Sequence, residues 1–179
     1  ESKEKGDIVL TNTHTPSTVD IPVTKIWVDN DNQDGLRPAK ITVKLLANGG
    51  EVARKDITSE TDWKETFTGL PKFKDGKEIV YTLQEEKVEN YSPSIDQESY
   101  TITNTHTPGK TTLSVTKQWD DQEDKDGLRP KSVKVQLYAD GKNSGEVIEL
   151  SAENKWTHIF ADLDKNVKGK AVHYPVDNV

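Results

Sequence analysis

Lys25, Glu85 and Asn104 are the residues of this chain whose types and settings could support chemistry. In Val23-Thr24-Lys25-Ile26-Trp27, alternate side chains of an extended segment share a face, so Val23, Lys25 and Trp27 point one way. The arrangement returns at Val115-Thr116-Lys117-Gln118-Trp119, where the other face, Thr116, Gln118 and Asp120, is polar throughout. The lysine therefore belongs to the inward face, with valine and tryptophan. An isolated buried ammonium is very costly, so such a lysine must be paired, neutralised or chemically consumed. Parity supplies its partners: Ile79, Tyr81, Leu83 and Glu85 share one face, and Tyr100, Ile102 and Asn104 share another. By parity alone Lys25 and Glu85 read as an ordinary buried salt bridge. Asn104, ending a third apolar stripe, opens a covalent alternative.

The elements that position these residues are short, β-branched and alternating, and turn signals separate them, which reads as all-β. Ile41 to Leu45 and Val133 to Leu137 alternate cleanly and lead to Asn48-Gly49 and Asp140-Gly141, which are hairpin-type turns. Residues 51–57, 63–67 and 78–85 read as further strands, and at most one helical turn is expected near Pro71 to Asp75. Six or seven strands per repeat suggest a β-sandwich. The pattern repeats with a period of 92 residues: Lys25 matches Lys117, and Asp34-Gly35-Leu36-Arg37-Pro38 matches Asp126-Gly127-Leu128-Arg129-Pro130. After a one-residue insertion, Trp63, Phe67, Leu70 and Tyr81 match Trp156, Phe160, Leu163 and Tyr174. Thr11 to Pro16 is identical to Thr103 to Pro108. Residues 1–16 thus read as the last strand of a preceding repeat, 17–108 as repeat one and 109–179 as an incomplete repeat two. A tandem period this long indicates an array of globular modules. The Pro-bearing linkers, Thr13 to Asp20 and Thr105 to Thr112, are expected to hold neighbours in a roughly extended line.

Composition narrows the classes. Of the 179 residues 31% are hydrophobic and 31% charged, which suits two small cores better than one large one. Small cores are often stapled. Here disulfides and thiolate zinc sites are excluded, because there is no cysteine. A net charge of −7 argues against nucleic acid and anionic membrane as partners. No apolar run approaches a membrane span and no signal peptide opens the sequence, which says nothing about secretion if the sequence is an excised fragment. The acidic stretches Asp29 to Gly35 and Asp120 to Gly127 lack the full spacing of an EF-hand and its terminal glutamate, so they read as solvated turns with no metal. The four tryptophans read as core residues in strand patterns, and no spacing gives the histidines a role. No cofactor is implied.

The combination V-T-K-x-W, D-G-x-R-P, Y-T-x-x-E and T-I-T-N resembles the Cna B-type repeat of Gram-positive surface adhesins and pilins, closest to the B-repeat stalk of collagen-binding adhesins. The resemblance spans nearly the whole chain. It implies two tandem inverse immunoglobulin-like β-sandwich modules, each carrying a self-formed Lys–Asn isopeptide bond assisted by a buried acid. Residue by residue the nucleophile falls on Lys25, the acid on Glu85 and the amide on Asn104, while in repeat two only Lys117 can be placed. The chemistry is physically sound. Burial lowers a lysine pKa and raises that of a glutamate, which makes a neutral amine beside a protonated acid accessible. The resemblance also implies an extracellular protein anchored to the bacterial cell wall.

Repeat two breaks at its end. Tyr174 is followed directly by Pro175-Val176-Asp177-Asn178, which resembles Ser94-Ile95-Asp96-Gln97, so a stretch bearing the second acid is expected to be deleted or unrepresented there. Taken literally, Asn178 falls at the acid position. Repeat two also stops before its final strand, whereas Ile8 to Asn12 is a spare one whose Asn12 matches Asn104. Head-to-tail self-association by strand complementation is therefore expected, with Asn12 as strand-donor amide near Lys117. Two functions compete: a load-bearing stalk that holds a separate ligand-binding domain away from the cell wall, and modules that themselves bind a host matrix protein. Near-identical tandem repetition favours the stalk, with host ligand bound by another domain and adjacent repeats as partners. An enzymatic reading has little support, because the reactive constellation consumes itself once.

Overall fold

The structure is a computed structural model that describes residues 6 and 9–179. Alternating burial builds nearly all of it from strands: β1 (Thr18–Val28), β2 (Lys40–Ala47), β3 (Gly50–Thr58), β4 (Lys64–Pro71), β5 (Phe73–Lys74), β6 (Lys77–Glu78), β7 (Tyr81–Glu85), β8 (Ser92–Asp96) and β9 (Thr101–Thr105). There follow β10 (Lys110–Thr116), β11 (Ser132–Ala139), β12 (Lys142–Asn143), β13 (Ile148–Ser151), β14 (Thr157–Asp164), β15 (Asn166–Val167), β16 (Lys170–Ala171) and β17 (Val176–Asn178). Among the described residues the only helical turns are Ser59–Thr61 and Ala152–Asn154, each capped by the preceding Thr58 or Ser151 hydroxyl. The fold is all-β.

The chain divides into two compact units. One takes residues up to Ile26, Ala39–Val88 and Pro93–Thr103; the other takes Trp27–Pro38, Glu89–Ser92 and Asn104–Val179. One four-stranded sheet has the order β4-β1-β9-β8, and a three-stranded sheet has the order β3-β2-β7. Their buried residues alternate along each strand: Ile21, Val23 and Lys25 on β1, Ile41, Val43 and Leu45 on β2, Tyr81 and Leu83 on β7, Ile102 and Asn104 on β9. Farther along the chain, β10 pairs with β14, and β11 lies between β12 and β13 and pairs also with β17. The buried apolar residues there are Val135, Leu137 and Leu150.

Three sequence expectations change. Pro71 to Asp75 forms no helical turn but enters the β5–β6 hairpin, because Asp75 and Gly76 at φ 51° and 74° make the left-handed pair that a two-residue hairpin turn requires. Asn48-Gly49 and Asp140-Gly141 do the same at the expected turns. Three tryptophans lie outside strands; Trp63 and Trp156 follow the helical turns at φ 57° and 59°. Residues 9–12 form no strand and are exposed, while Ile8 lies outside the described residues. Residues 173–175 run beside β11, where the Asp140 N–H donates to the His173 carbonyl and the Tyr138 N–H to the Pro175 carbonyl.

Candidate functional site

Lys25 is inward because β1 alternates, and its neighbours on that face, Ile21 and Val23, are at most 2% exposed. Its ammonium Nζ lies 3.0 Å from Oε1 of Glu85, with side-chain exposures of 0% and 2%. Glu85 is held there by the β2–β7 ladder, in which Val43 stands opposite Glu85 and Leu45 opposite Leu83. Burial is the largest influence on Lys25 and outweighs the hydrogen bond and charge of Glu85, so its pKa falls to about 8. At pH 7 roughly a tenth of such amines are neutral and nucleophilic.

Asn104 is fully buried on β9, the strand beside β1. The Thr24 N–H donates to the Tyr100 carbonyl and the His106 N–H to the Val28 carbonyl, an order that runs the same way on both strands. The pair is therefore parallel, and its bond pattern sets Thr24 opposite Thr101 and Val28 opposite Thr105. By continuity Lys25 is level with Ile102, and Ile102 and Asn104 are the buried residues of β9.

The second copy of the pattern is arranged differently. Lys117 is half-buried, and its Nζ lies over the Trp119 ring at 4.6 Å from the centroid. Val135, the counterpart of Val43, stands opposite Asn178. Asn178 thus takes the register position of Glu85, and a carboxamide replaces the acid. Asn12 is exposed and in no strand.

A cluster that sequence reading treated as a solvated turn is in fact internal. Asp29 is 2% exposed, accepts two hydrogen bonds from the Arg37 guanidinium at 3.0 and 2.6 Å, and accepts a third from the Tyr91 hydroxyl at 2.8 Å. Burial opposes ionisation of Asp29, but Arg37, the Asn32 N–H and Tyr91 together hold its pKa at about 2. Tyr91 also packs edge-on against Trp27 at 4.9 Å. The signal for this was present: Asp29/Arg37 and Asp121/Arg129 share one spacing, and both pairs form. Asp34, 8% exposed in its side chain, accepts from His106 Nε2 at 2.9 Å, the Gly109 N–H at 2.8 Å and Asn166 Nδ2 at 3.2 Å. The Asn90 carbonyl takes the other ring nitrogen of His106 at 2.9 Å. Both ring partners are acceptors, so the imidazole is held as the cation; Asp34 raises the His106 pKa and His106 lowers that of Asp34.

Comparison with known proteins places these features. The profile of the Cna protein B-type domain matches residues 21–105 and again 113–179. The chain is 47% identical over its whole length to a collagen adhesin of Staphylococcus aureus, of which it spans 15%. A crystal structure of two B repeat units (B1B2) of the collagen-binding protein Cna of that organism is 47% identical, with a TM-score of 0.51 over 93% of this chain and 44% of that one. The single B repeat unit (B1) of the collagen-binding surface protein is also 47% identical, with a TM-score of 0.49 over 91% of this chain and 86% of that one. The chain belongs to the Cna protein B-type domain family.

Proposed function

We propose that this chain is a load-bearing stalk segment of a Gram-positive cell-surface adhesin, extracellular and anchored to the cell wall. It is built of two tandem inverse immunoglobulin-like modules, residues 17–108 and 109–179, after residues 1–16, which match the tail of a repeat in sequence. The first module is closed by an isopeptide bond between Lys25 and Asn104. The observation that carries this is the interior Lys25–Glu85 pair at 3.0 Å beside a fully buried Asn104 on the adjacent strand. A proton passes from the Lys25 ammonium to the Glu85 carboxylate. The neutral amine attacks the side-chain amide carbon of Asn104, and the protonated Glu85 donates to the developing oxyanion. Collapse forms the new C–N bond, breaks the old one and releases ammonia, to which Glu85 relays the protons. Fixed geometry supplies effective concentration, so one turnover suffices. Adjacent repeats are its partners in the chain. Collagen binding attaches by name to a relative of which this chain spans 15%, and we assign ligand capture to another domain.

The test is single-molecule pulling on the termini. With the bond formed, the residues between Lys25 and Asn104 do not extend. Asn104→Ala frees them, adding an unfolding step of roughly 250–280 Å. A wild-type chain that already shows that step refutes the proposal.

A further inference from the structure

Glu85 is the last residue of β7, and β7 has a strand on one side only. Among the described residues its sheet neighbour is β2, in the order β3-β2-β7, so no strand lies against its other edge. A strand that ends on its functional residue and is supported along one edge can fray and shift. The alternation of its backbone shows which groups face that edge. The Asn48 N–H donates to the Val80 carbonyl and the Glu86 N–H to the Thr42 carbonyl, so even-numbered residues of β7 pair with β2. Tyr81, Leu83 and Glu85 therefore turn their N–H and C=O to the open edge.

At Leu83, which is 3% exposed, a side chain takes the place of the missing strand. The Leu83 N–H donates to Gln97 Oε1 at 2.7 Å, and Gln97 Nε2 donates to the Leu83 carbonyl at 2.9 Å. One carboxamide thus satisfies both backbone groups, as a paired residue of a neighbouring strand would. Leu83 precedes Glu85 by two residues on the same face, so the clamp acts at the edge position next before the acid.

Gln97 is itself held in place. It follows β8 in a turn organised by Asp96, whose Oδ1 accepts the Glu98 N–H at 2.9 Å and whose Oδ2 accepts the Ser99 hydroxyl at 2.7 Å. Tyr100, at φ 53°, turns the chain into β9, and its carbonyl accepts the Thr24 N–H at 3.2 Å. The strand that follows carries Ile102 and Asn104. The clamp therefore joins the strand of the acid to the turn that leads into the strand of the amide. That same turn is bonded to β1 one residue before Lys25.

We infer that Gln97 is a positioning residue for the crosslinking reaction. Its carboxamide ties the open edge of β7 to the β8–β9 turn, and so holds Glu85 at the 3.0 Å from Lys25 at which a proton can pass. The inference rests on the reading of Lys25, Glu85 and Asn104 as a self-crosslinking set, and Gln97 acts on that set through Leu83. Without the clamp the fold persists, and the acid at the strand end loses its fixed placement. A misplacement of about 1 Å slows such a reaction by about 100-fold.

The rate of bond formation tests it. The full chain is made in a short cell-free pulse, and aliquots are quenched in denaturant for intact mass, which reads the loss of ammonia. A brief protease pulse on parallel aliquots reads the folded fraction, so each rate is expressed per folded molecule. Gln97→Leu keeps the bulk and removes both hydrogen bonds. Tyr81→Phe is the control, since it removes the 2.8 Å bond from the Tyr81 hydroxyl to the Pro71 carbonyl on the same strand. Gln97→Leu is expected to react about 10–100-fold more slowly per folded molecule, and Tyr81→Phe at the wild-type rate. Gln97→Glu keeps the shape and the acceptor, but its carboxylate has no hydrogen for the Leu83 carbonyl. Its rate relative to wild type at the same pH is expected to be low at pH 7. That ratio is expected to rise as pH falls through the carboxyl range, about 4–5, where the protonated acid regains a donor. A Gln97→Leu rate equal to wild type, an equal slowing by Tyr81→Phe, or a Gln97→Glu ratio flat with pH overturns the inference and leaves the crosslink standing. A wild-type chain that never loses ammonia overturns both.

Discussion

Replacing Glu85 separates the two meanings of the buried Lys25–Glu85 contact. If the pair is only a salt bridge, Glu85→Ala leaves a buried ammonium without its carboxylate, which costs about 3–5 kcal/mol at a site where the two side chains are 0% and 2% exposed. If Glu85 promotes a crosslink, the variant also loses the closure of the loop from Lys25 to Asn104, worth roughly 4–5 kcal/mol by the chain-entropy rule. A domain of this size shifts by about 4–8 °C per kcal/mol, so loss of the crosslink alone lowers the melting temperature by about 16–40 °C. Stability falls in both cases and decides little. Mass decides: the wild-type chain, measured intact after denaturation, is expected about 17 Da below its sequence mass, one ammonia lost per bond. Glu85→Ala and Asn104→Ala are each expected at full sequence mass. A wild-type chain at full mass would refute the crosslink and leave the salt bridge.

Two further outcomes follow from the acidic loops and the His106–Asp34 pair. Asp29→Asn is expected to cost about 3–5 kcal/mol in denaturant unfolding, because Asp29 is 1% exposed in its side chain and Arg37 loses its counter-charge inside the protein. The same change at Asp121, whose side chain is 30% exposed beside Arg129, is expected to cost far less; equal costs would contradict the buried-cluster reading. Because the His106 pKa is raised in the folded state, its stabilisation is full below the ordinary histidine pKa and is lost as pH rises through the raised value. Asp34, lowered, contributes above the ordinary carboxylate range and loses its contribution as pH falls through the lowered value, so stability is expected to peak on the mildly acidic side. His106→Ala is expected to flatten the decline above that peak in melting curves recorded against pH, and an unchanged slope would refute the pair.

Much of the candidate site was legible because strand parity is a local property. Once Val23-x-Lys25, Leu83-x-Glu85 and Ile102-x-Asn104 are read as extended, their faces follow without knowledge of the sheets. Asn48-Gly49 and Asp140-Gly141 were legible for the same reason, since left-handed backbone is written in the residue types. What failed depended on distant partners. Asp29 looks solvated in a run of polar residues, and only Tyr91, far along the chain, makes it internal. Phe73 to Glu78 carries too few residues to show a period, so its hairpin was read as a helical turn. Trp63 and Trp156 look like strand residues by type, but the capped turns before them set their left-handed backbone.

The parallel pairing of β1 and β9 gives the proposed bond its mechanical meaning. A force drawn toward the start of β1 and the end of β9 slides two parallel neighbours past each other, so the ladder from Thr24 to His106 is loaded as a whole. A Lys25–Asn104 bond lies inside that ladder. Load would enter at Lys25 and leave at Asn104, and the rest of the module, with the Asp29–Arg37 pair, would bear almost none of it. The second half of the chain keeps the lysine but sets Asn178 opposite Val135, where the first half sets Glu85 opposite Val43. An amide cannot relay protons as a carboxylic acid does, so Asn178 at that position would not promote a bond at Lys117. Under tension the two halves of one repeat pattern would then respond differently: the first held covalently, the second held by backbone hydrogen bonds and able to yield and reform.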